Sequence, residues 1–298
     1  LPGGGFAPTT DQGLEMDIYY IDGEFVPAER AAIPVNDLAV LRGFGVFDFL
    51  RTYGGRPFHL RDHLKRLRNS AEQIGLNCPW SEKELEEIVR QTLLRNRHEE
   101  SNIRIVVTGG PSEDFITPGA APRLIVMVSA LIVMPDEWYT QGVKIITAPL
   151  ERLMPGAKSI DYIPAILALR RAAAENAVEA LYLDGKNHVL EGTTSNLFMF
   201  DGKKFLTPDR GVLGGITRKV VLELVESRFP LERRDILLTE LLAAEELFLC
   251  SSNKEVVPVV QADDAVIGSG KPGRNTAAVM ALFTEYTHTW ATGSTPQR

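Results

Sequence analysis

Cysteine is nearly missing from this chain. Two occur in 298 residues, Cys78 and Cys250, far apart and without C-x-x-C spacing. That excludes a disulfide framework and suggests a reducing compartment. Basic residues are in deficit too: 32 Lys and Arg against 39 Asp and Glu give a net charge of −7. No cationic footprint therefore argues for nucleic acid or an anionic membrane. Long apolar runs are also lacking. The longest, Leu124 to Met134, has eleven residues and includes Ser129; it is too short to span a bilayer and reads as a buried strand. The opening LPGGGFAPTTDQGLE has no initiator Met and reads as a tail rather than a leader, with Met16 as a natural start. What remains is a cytoplasmic protein of ordinary globular composition, 44% hydrophobic and 24% charged. Its length suits about two domains.

Strand and helix signals are interleaved. DIYYIDGEFV (17–26) predicts two short strands around an Asp22-Gly23 turn. Leu60, Leu64, Leu67, Ala71 and Ile74 recur at helical spacing over 59–75, and Ser81 with Glu84 forms a capping box for a second helix. IRIVVTG (103–109) and RLIVMVSALIVM (123–134) predict strands, joined by a stretch long enough to be an active-site loop. PDEWYTQG (135–142) reads as a linker. Beyond it come the strand GVKIITAP, a helix over about 163–178, hairpins around Asp184-Gly185 and Asp201-Gly202, a helix at 217–228 and strands near 247–260. The expected fold is α+β in two domains, 17–134 and 143–290.

Four signals in the second half carry chemistry. Lys158 lies in AKSIDYIPAI, after Pro155-Gly156-Ala157 and before a helix, where its amine can point into a cleft. Tyr162, four residues on, either offers its hydroxyl to a ligand or packs in the core. Glu191 breaks an apolar strand just before Gly192; it is a buried carboxylate or a solvated hairpin residue. GGITR (214–218) puts a glycine pair before a helix, and the Ile216 and Thr217 N–H groups there suit a phosphate, although Thr217 alone is also an ordinary N-cap. Ser251, Ser252 and Asn253 follow the strand LFLC as a second donor cluster. In the first half, Arg66 sits beside the apolar face of its helix, within reach of an anion. A lysine, a carboxylate and two phosphate cradles are the parts of a pyridoxal-phosphate site: the amine bonds the aldehyde, the acid holds the ring nitrogen, and the loops hold the phosphate.

Other patterns are rejected. His59 and His63 have metal-ligand spacing but no third ligand. GSGKPG (268–273) lacks the first glycine of a phosphate loop and has Pro272 where Ser or Thr is needed. GFG (43–45) has no following glycine for a dinucleotide fingerprint.

Taken in order, these segments resemble the fold-type IV pyridoxal-phosphate enzymes, which include branched-chain aminotransferases, D-amino acid transaminases and aminodeoxychorismate lyases. The resemblance covers roughly 17–285. It implies a small α/β N-terminal domain, a larger pseudobarrel-like C-terminal domain, pyridoxal 5'-phosphate in the cleft between them, and a homodimer whose partner loops complete each site. It also implies roles: Lys158 carries the cofactor, Glu191 meets the pyridine nitrogen, Arg66, Ile216, Thr217 and Ser252 hold the phosphate, and Tyr162 lies near the phenolic oxygen. LRGFGVFDFLR (41–51) departs from the branched-chain pattern, with Arg42 before the glycine and Asp48 in place of Glu. PSEDFITP lacks the Arg-x-His pair of the familiar D-enzymes. LRGFGVFDF and IRIVVTGG look closest to an atypical group of D-amino acid transaminases, which makes Arg42 and Arg104 the candidates for binding the substrate carboxylate. The expected reaction moves an amino group between a D-amino acid and a 2-keto acid, 2-oxoglutarate or pyruvate. An L-branched-chain aminotransferase, a lyase on a chorismate-derived amine and a non-enzymatic binding module are the rivals.

Overall fold

The computed structural model describes residues 16–293; the expected tail lies outside the described residues. Asp22 and Gly23, at φ 47° and 104°, close the hairpin between β1 (Ile18–Ile21) and β2 (Glu24–Pro27). This is the left-handed pair that a two-residue turn demands. A short helix not anticipated from sequence, α1 (Leu38–Arg42), is capped by the Asp37 carboxylate, which accepts from Ala39 N, and stopped by Gly43 at φ 63°. There follow β3 (Gly45–Tyr53), β4 (Arg56–Pro57), α2 (Leu60–Gln73), α3 (Glu82–Leu94), β5 (Ser101–Thr108) and β6 (Arg123–Ala130). The six strands form one sheet in the order β2-β1-β6-β5-β3-β4. Leu64, Leu67 and Ala71 of α2, with Leu85 and Val89 of α3, pack on Val46, Leu50, Ile103, Ile105 and Val126 of that sheet. The capping box at the start of α3 is formed from both sides: Glu84 N donates to Ser81 Oγ, and Ser81 N donates to the Glu84 carboxylate.

Two stretches around the end of the first half differ from expectation. β6 ends at Ala130, opposite Ser101, where its partner β5 begins. The apolar run therefore outlasts the ladder, and Ile132 and Val133 stand 67% and 75% exposed. The expected linker contains a helical turn, α4 (Asp136–Thr140), because Trp138 and Tyr139 have a second core to pack against.

That core lies inside a ten-stranded sheet. Its elements are β7 (Val143–Ala148), α5 (Ile163–Ala174), β8 (Glu179–Leu183), β9 (His188–Gly192), β10 (Asn196–Phe200), β11 (Phe205–Thr207), α6 (Ile216–Glu226), β12 (Leu231–Arg233), β13 (Ile236–Leu237), α7 (Leu238–Leu242), β14 (Glu246–Ser251), β15 (Glu255–Ala262), β16 (Ala265–Val266) and α8 (Arg274–Ala291). The strand order is β12-β11-β10-β14-β15-β7-β8-β9-β13, with β16 on β15. β7 runs parallel to both β8 and β15, and α5 makes the crossover between β7 and β8. Alternation divides the two faces. Leu197, Met199, Leu247 and Leu249 join Ile145, Leu181 and Val257 on one side. Phe198, Phe200 and Phe248 meet Val220 and Val221 of α6 and Val279 and Phe283 of α8 on the other. Tyr53 and Phe58 from the first half enter this second cluster and bind the two sheets together.

The rejected GSGKPG segment leads into α8. The first N–H groups of that helix, on Asn275 and Thr276, donate to the Glu246 carboxylate, so a protein anion already occupies this helix end. Of the two histidines with metal-ligand spacing, His63 Nδ1 pairs with Asp48 at 2.6 Å and His59 stacks on Trp290. Among the described residues no helix is long and apolar enough to cross a membrane.

Candidate active site

A cavity of about 500 Å³ opens between the two sheets. From the first sheet come Phe47, Phe49, Arg104 and Val106; from the second come Glu191, the turn 192–196, the start of α6 and the turn 251–253. Lys158 joins them. The chain around it leaves the second sheet and is hydrogen-bonded to the first: Phe47 N donates to Lys158 O at 2.9 Å, Ile160 N donates to Gly45 O at 3.0 Å, and Val46 and Ser159 form a bridge. Lys158 N also donates to Ser70 Oγ on α2 at 3.1 Å. With its backbone fixed this way, Lys158 holds Nζ 4.6 Å from the centre of the Phe47 ring. Burial, reinforced by the Arg66 charge, lowers its pKa to about 7 against the opposing pull of Asp48 and Glu191. Much of this amine is therefore neutral, and nucleophilic, near neutral pH.

Glu191 is 5% exposed, so it is no solvated hairpin residue. Its carboxylate accepts from Leu213 N at 2.8 Å and Asn196 Nδ2 at 3.3 Å, and it pairs with Arg152 Nη2 at 3.0 Å. Burial raises its pKa, and the Arg152 charge and the Leu213 N–H act against that rise. Tyr162 also lines the cavity, edge-on to Phe47 with ring centroids 5.4 Å apart. Burial raises the pKa of its phenol, which stays a protonated donor.

At the far end, α6 begins at Ile216 with Gly215 as its N-cap and no capping side chain. Thr217, expected from its type as a possible N-cap, lies instead within the first turn. Ile216 and Thr217 are both buried against the cavity. A Cβ at Gly215 would collide with Asn196 Oδ1, so any other residue there would have to displace that side chain. Arg66 reaches the same end. Its Nε and Nη2 donate to Asp48 at 3.0 and 2.7 Å, and Nη1 donates to Gly214 O. Burial alone would raise the pKa of Asp48, but Arg66 and His63 outweigh it and hold the carboxyl well below its usual range. The guanidinium is thus fixed in direction before any anion arrives. An uncapped helix start, a fixed arginine, Ser252 and a desolvated amine together form a donor set that fits a phosphorylated aldehyde.

Arg42 is the one sequence candidate that the structure does not bring to this cavity. It is exposed at the end of α1, and its Nη1 donates to Leu41 O. Arg104 does line the cavity, lying over Phe47 and Phe49 at 5.1 and 5.3 Å. Two features escaped the sequence reading. Arg152, six residues before Lys158, belongs to no regular element, so nothing in the local pattern gave its direction. The turn Thr193-Thr194-Ser195 directly after Glu191-Gly192 was legible as a hydroxyl run but was not singled out.

The family model described as amino-transferase class IV matches residues 45–262. The chain belongs to the class IV aminotransferases. As a member it is an enzyme that uses pyridoxal 5'-phosphate and acts on amino acid and keto acid substrates. It is 32% identical over 279 residues to a provisionally named branched-chain-amino-acid aminotransferase of Methanocaldococcus jannaschii, covering 91% of this chain and 96% of the other. It is 31% identical over 278 residues to D-alanine aminotransferase of Staphylococcus aureus, covering 91% and 98%. The solved T.th. branched-chain amino acid aminotransferase with pyridoxamine 5'-phosphate superposes with a TM-score of 0.86 at 28% identity, covering 95% and 96%. This aminotransferase therefore resembles D-alanine and branched-chain enzymes alike.

Proposed function

We propose that this aminotransferase moves the amino group between a D-amino acid and 2-oxoglutarate or pyruvate in two half-reactions, as a homodimer. The observation that carries the reading is Arg104. It projects from an apolar strand into the cavity, lies over two aromatic rings, and makes no ion pair among the described residues. Arg104 is exposed as a residue, yet its guanidinium lies against two rings of the cavity wall, and a substrate carboxylate is the anion this chemistry brings to it.

When bound, the cofactor supplies an electron sink for the substrate's Cα. Arg66, Ile216, Thr217 and Ser252 hold the phosphate end, and Tyr162 donates near the phenolic oxygen. Glu191 would hold the ring nitrogen, with Arg152 and Leu213 N aiming its carboxylate and opposing the rise in pKa that burial causes. Lys158 Nζ would hold the cofactor aldehyde, and it is the amine placed to move a substrate's Cα proton. Arg42 lies outside its own chain's cavity, and we assign it to the site of the partner subunit. The outer face of α5 supports the dimer: Ile163, Ile166 and Leu167 share one helical stripe and are 68%, 53% and 58% exposed.

The second reading, an L-branched-chain aminotransferase, is favoured by the apolar lining of Phe47, Phe49, Val106 and Ile160. The test is the half-reaction spectrum with both enantiomers of alanine, glutamate and leucine. Turnover of D-alanine and D-glutamate ahead of L-leucine is expected; the reverse order hands the site to the branched-chain reading. Arg104→Ala should weaken D-substrate binding by roughly ten- to a hundredfold, the effect of about 1.5–3 kcal/mol from one charge-assisted contact. A neutral primary amine without a carboxylate should bind the variant as well as wild type.

A further inference from the structure

Behind the cavity wall lies an ion pair that no step above uses. Glu179, at the start of β8, is fully buried, and Lys254, in the turn between β14 and β15, is 6% exposed. Lys254 Nζ donates to Glu179 Oε2 at 2.8 Å and to Thr194 Oγ1. The same carboxylate accepts from the hydroxyls of Thr193, Thr194 (2.7 Å) and Ser195 (3.0 Å). Gly192 passes so close that a Cβ would collide with Ser195 Oγ and the Glu179 side chain. Every hydroxyl of the 193–195 turn is thus gathered onto one carboxylate. Lys254 ties that carboxylate to the other wall turn, 251–253, through the chain itself and through Lys254 N, which donates to Ser251 Oγ.

The second turn is held from its far side as well. Glu255, at φ 57° in the left-handed region that non-glycine residues avoid, accepts from Arg51 Nη1 and Tyr53 Oη, both at 2.8 Å. Lys254 pulls the turn toward the interior of the second sheet, and Glu255 pulls it toward the first. Ser252 and Asn253 are left facing the cavity between these two anchors.

The geometry points to Glu179 and Lys254 as a positioning pair that sets the 251–253 turn against the 193–195 turn for binding the cofactor phosphate. The proposal rests on the reading of Ser252 as part of the phosphate cradle. Removing one partner of a buried pair strands a charge and destabilises the fold, whereas replacing both by neutral side chains of similar size usually leaves stability close to its original value. The double variant Lys254→Met/Glu179→Gln therefore separates position from stability. The glutamine amide presents a single acceptor oxygen in place of two, so the hydroxyls of 193–195 are no longer all gathered. The expected result is a thermal midpoint near that of wild type, pyridoxal 5'-phosphate affinity reduced about tenfold or more, and unchanged affinity for pyridoxal, which lacks the phosphate. Equal losses for the two ligands, or wild-type affinity for both, would overturn the assignment. If the double variant does not fold, Thr194→Val removes the hydroxyl shared by both charges, and the same contrast between the two ligands decides. Covalent attachment of the cofactor to Lys158 in wild-type protein, followed by borohydride and peptide mass, tests the site separately.

Discussion

Glu191 shows how one side chain can be specified from three directions. Arg152, Leu213 N and Asn196 Nδ2 surround its carboxylate, so its orientation is set before the cofactor ring arrives. Glu191→Gln keeps the shape and removes the charge. The half-reaction rate should fall on the order of a hundredfold or more, with a smaller loss of cofactor affinity; near-normal stopped-flow rates would remove Glu191 from the chemistry. Lys158 makes a complementary prediction in the cofactor-free protein. Its pKa is lowered from 10.5 to about 7, so the neutral, reactive form is already in the majority at pH 8, where surface lysines are still protonated. Reductive methylation followed by mass analysis of the 152–170 peptide should show Lys158 labelling rising through pH 7 and level by pH 8–9. Lysines in unstructured peptide standards should keep rising with pH. A Lys158 profile that tracks theirs would mean the amine is not desolvated.

At the scale of elements, α6 carries its function at one end and its packing along one side. Val220, Val221 and Val225 bury the helix against β10 and β14, so the uncapped first turn costs little overall stability. Thr217→Val should therefore leave the thermal midpoint nearly unchanged, yet weaken pyridoxal 5'-phosphate binding several-fold by removing one buried donor, as measured by absorbance titration. Elements of this kind were legible in the sequence where a period or a cap announced them: the Asp22-Gly23 hairpin, the Ser81–Glu84 capping box and the apolar stripe of α2 all stand where the pattern put them. Failures came where tertiary partners set the outcome. β6 stops where β5 stops, not where its apolar residues run out. α4 forms because Trp138 and Tyr139 have a core to meet, and α8 went unread although Val279 and Phe283 have helical spacing. In the cavity, residue types such as Lys158, Glu191 and Thr217 could be read from neighbouring glycines and strand ends. The directions of Arg152 and Arg42 could not, because Arg152 lies in no regular element and Arg42 ends a five-residue helix too short to show a period.

Taken whole, the molecule assembles its cavity from two sheets and leaves Arg42 exposed and outside the lining. If Arg42 serves the partner subunit, two crippled variants should rescue each other. In a mixed dimer of Arg42→Ala and Lys158→Ala chains, one site unites an intact Lys158 with an intact Arg42 from the other chain. Activity toward D-alanine above the sum of the separate variants is expected after the mixture is unfolded and refolded together; no gain would return Arg42 to its own chain or to a surface role. The strap around Lys158 has one more consequence. The Phe47 and Ile160 amides donate across the seam between the halves, so they lose protection when the halves part, even while each sheet stays intact. Their hydrogen–deuterium exchange is a built-in gauge of cleft opening. It can be read residue by residue, with and without cofactor, and it separates breathing of the whole enzyme from the fraying of either half.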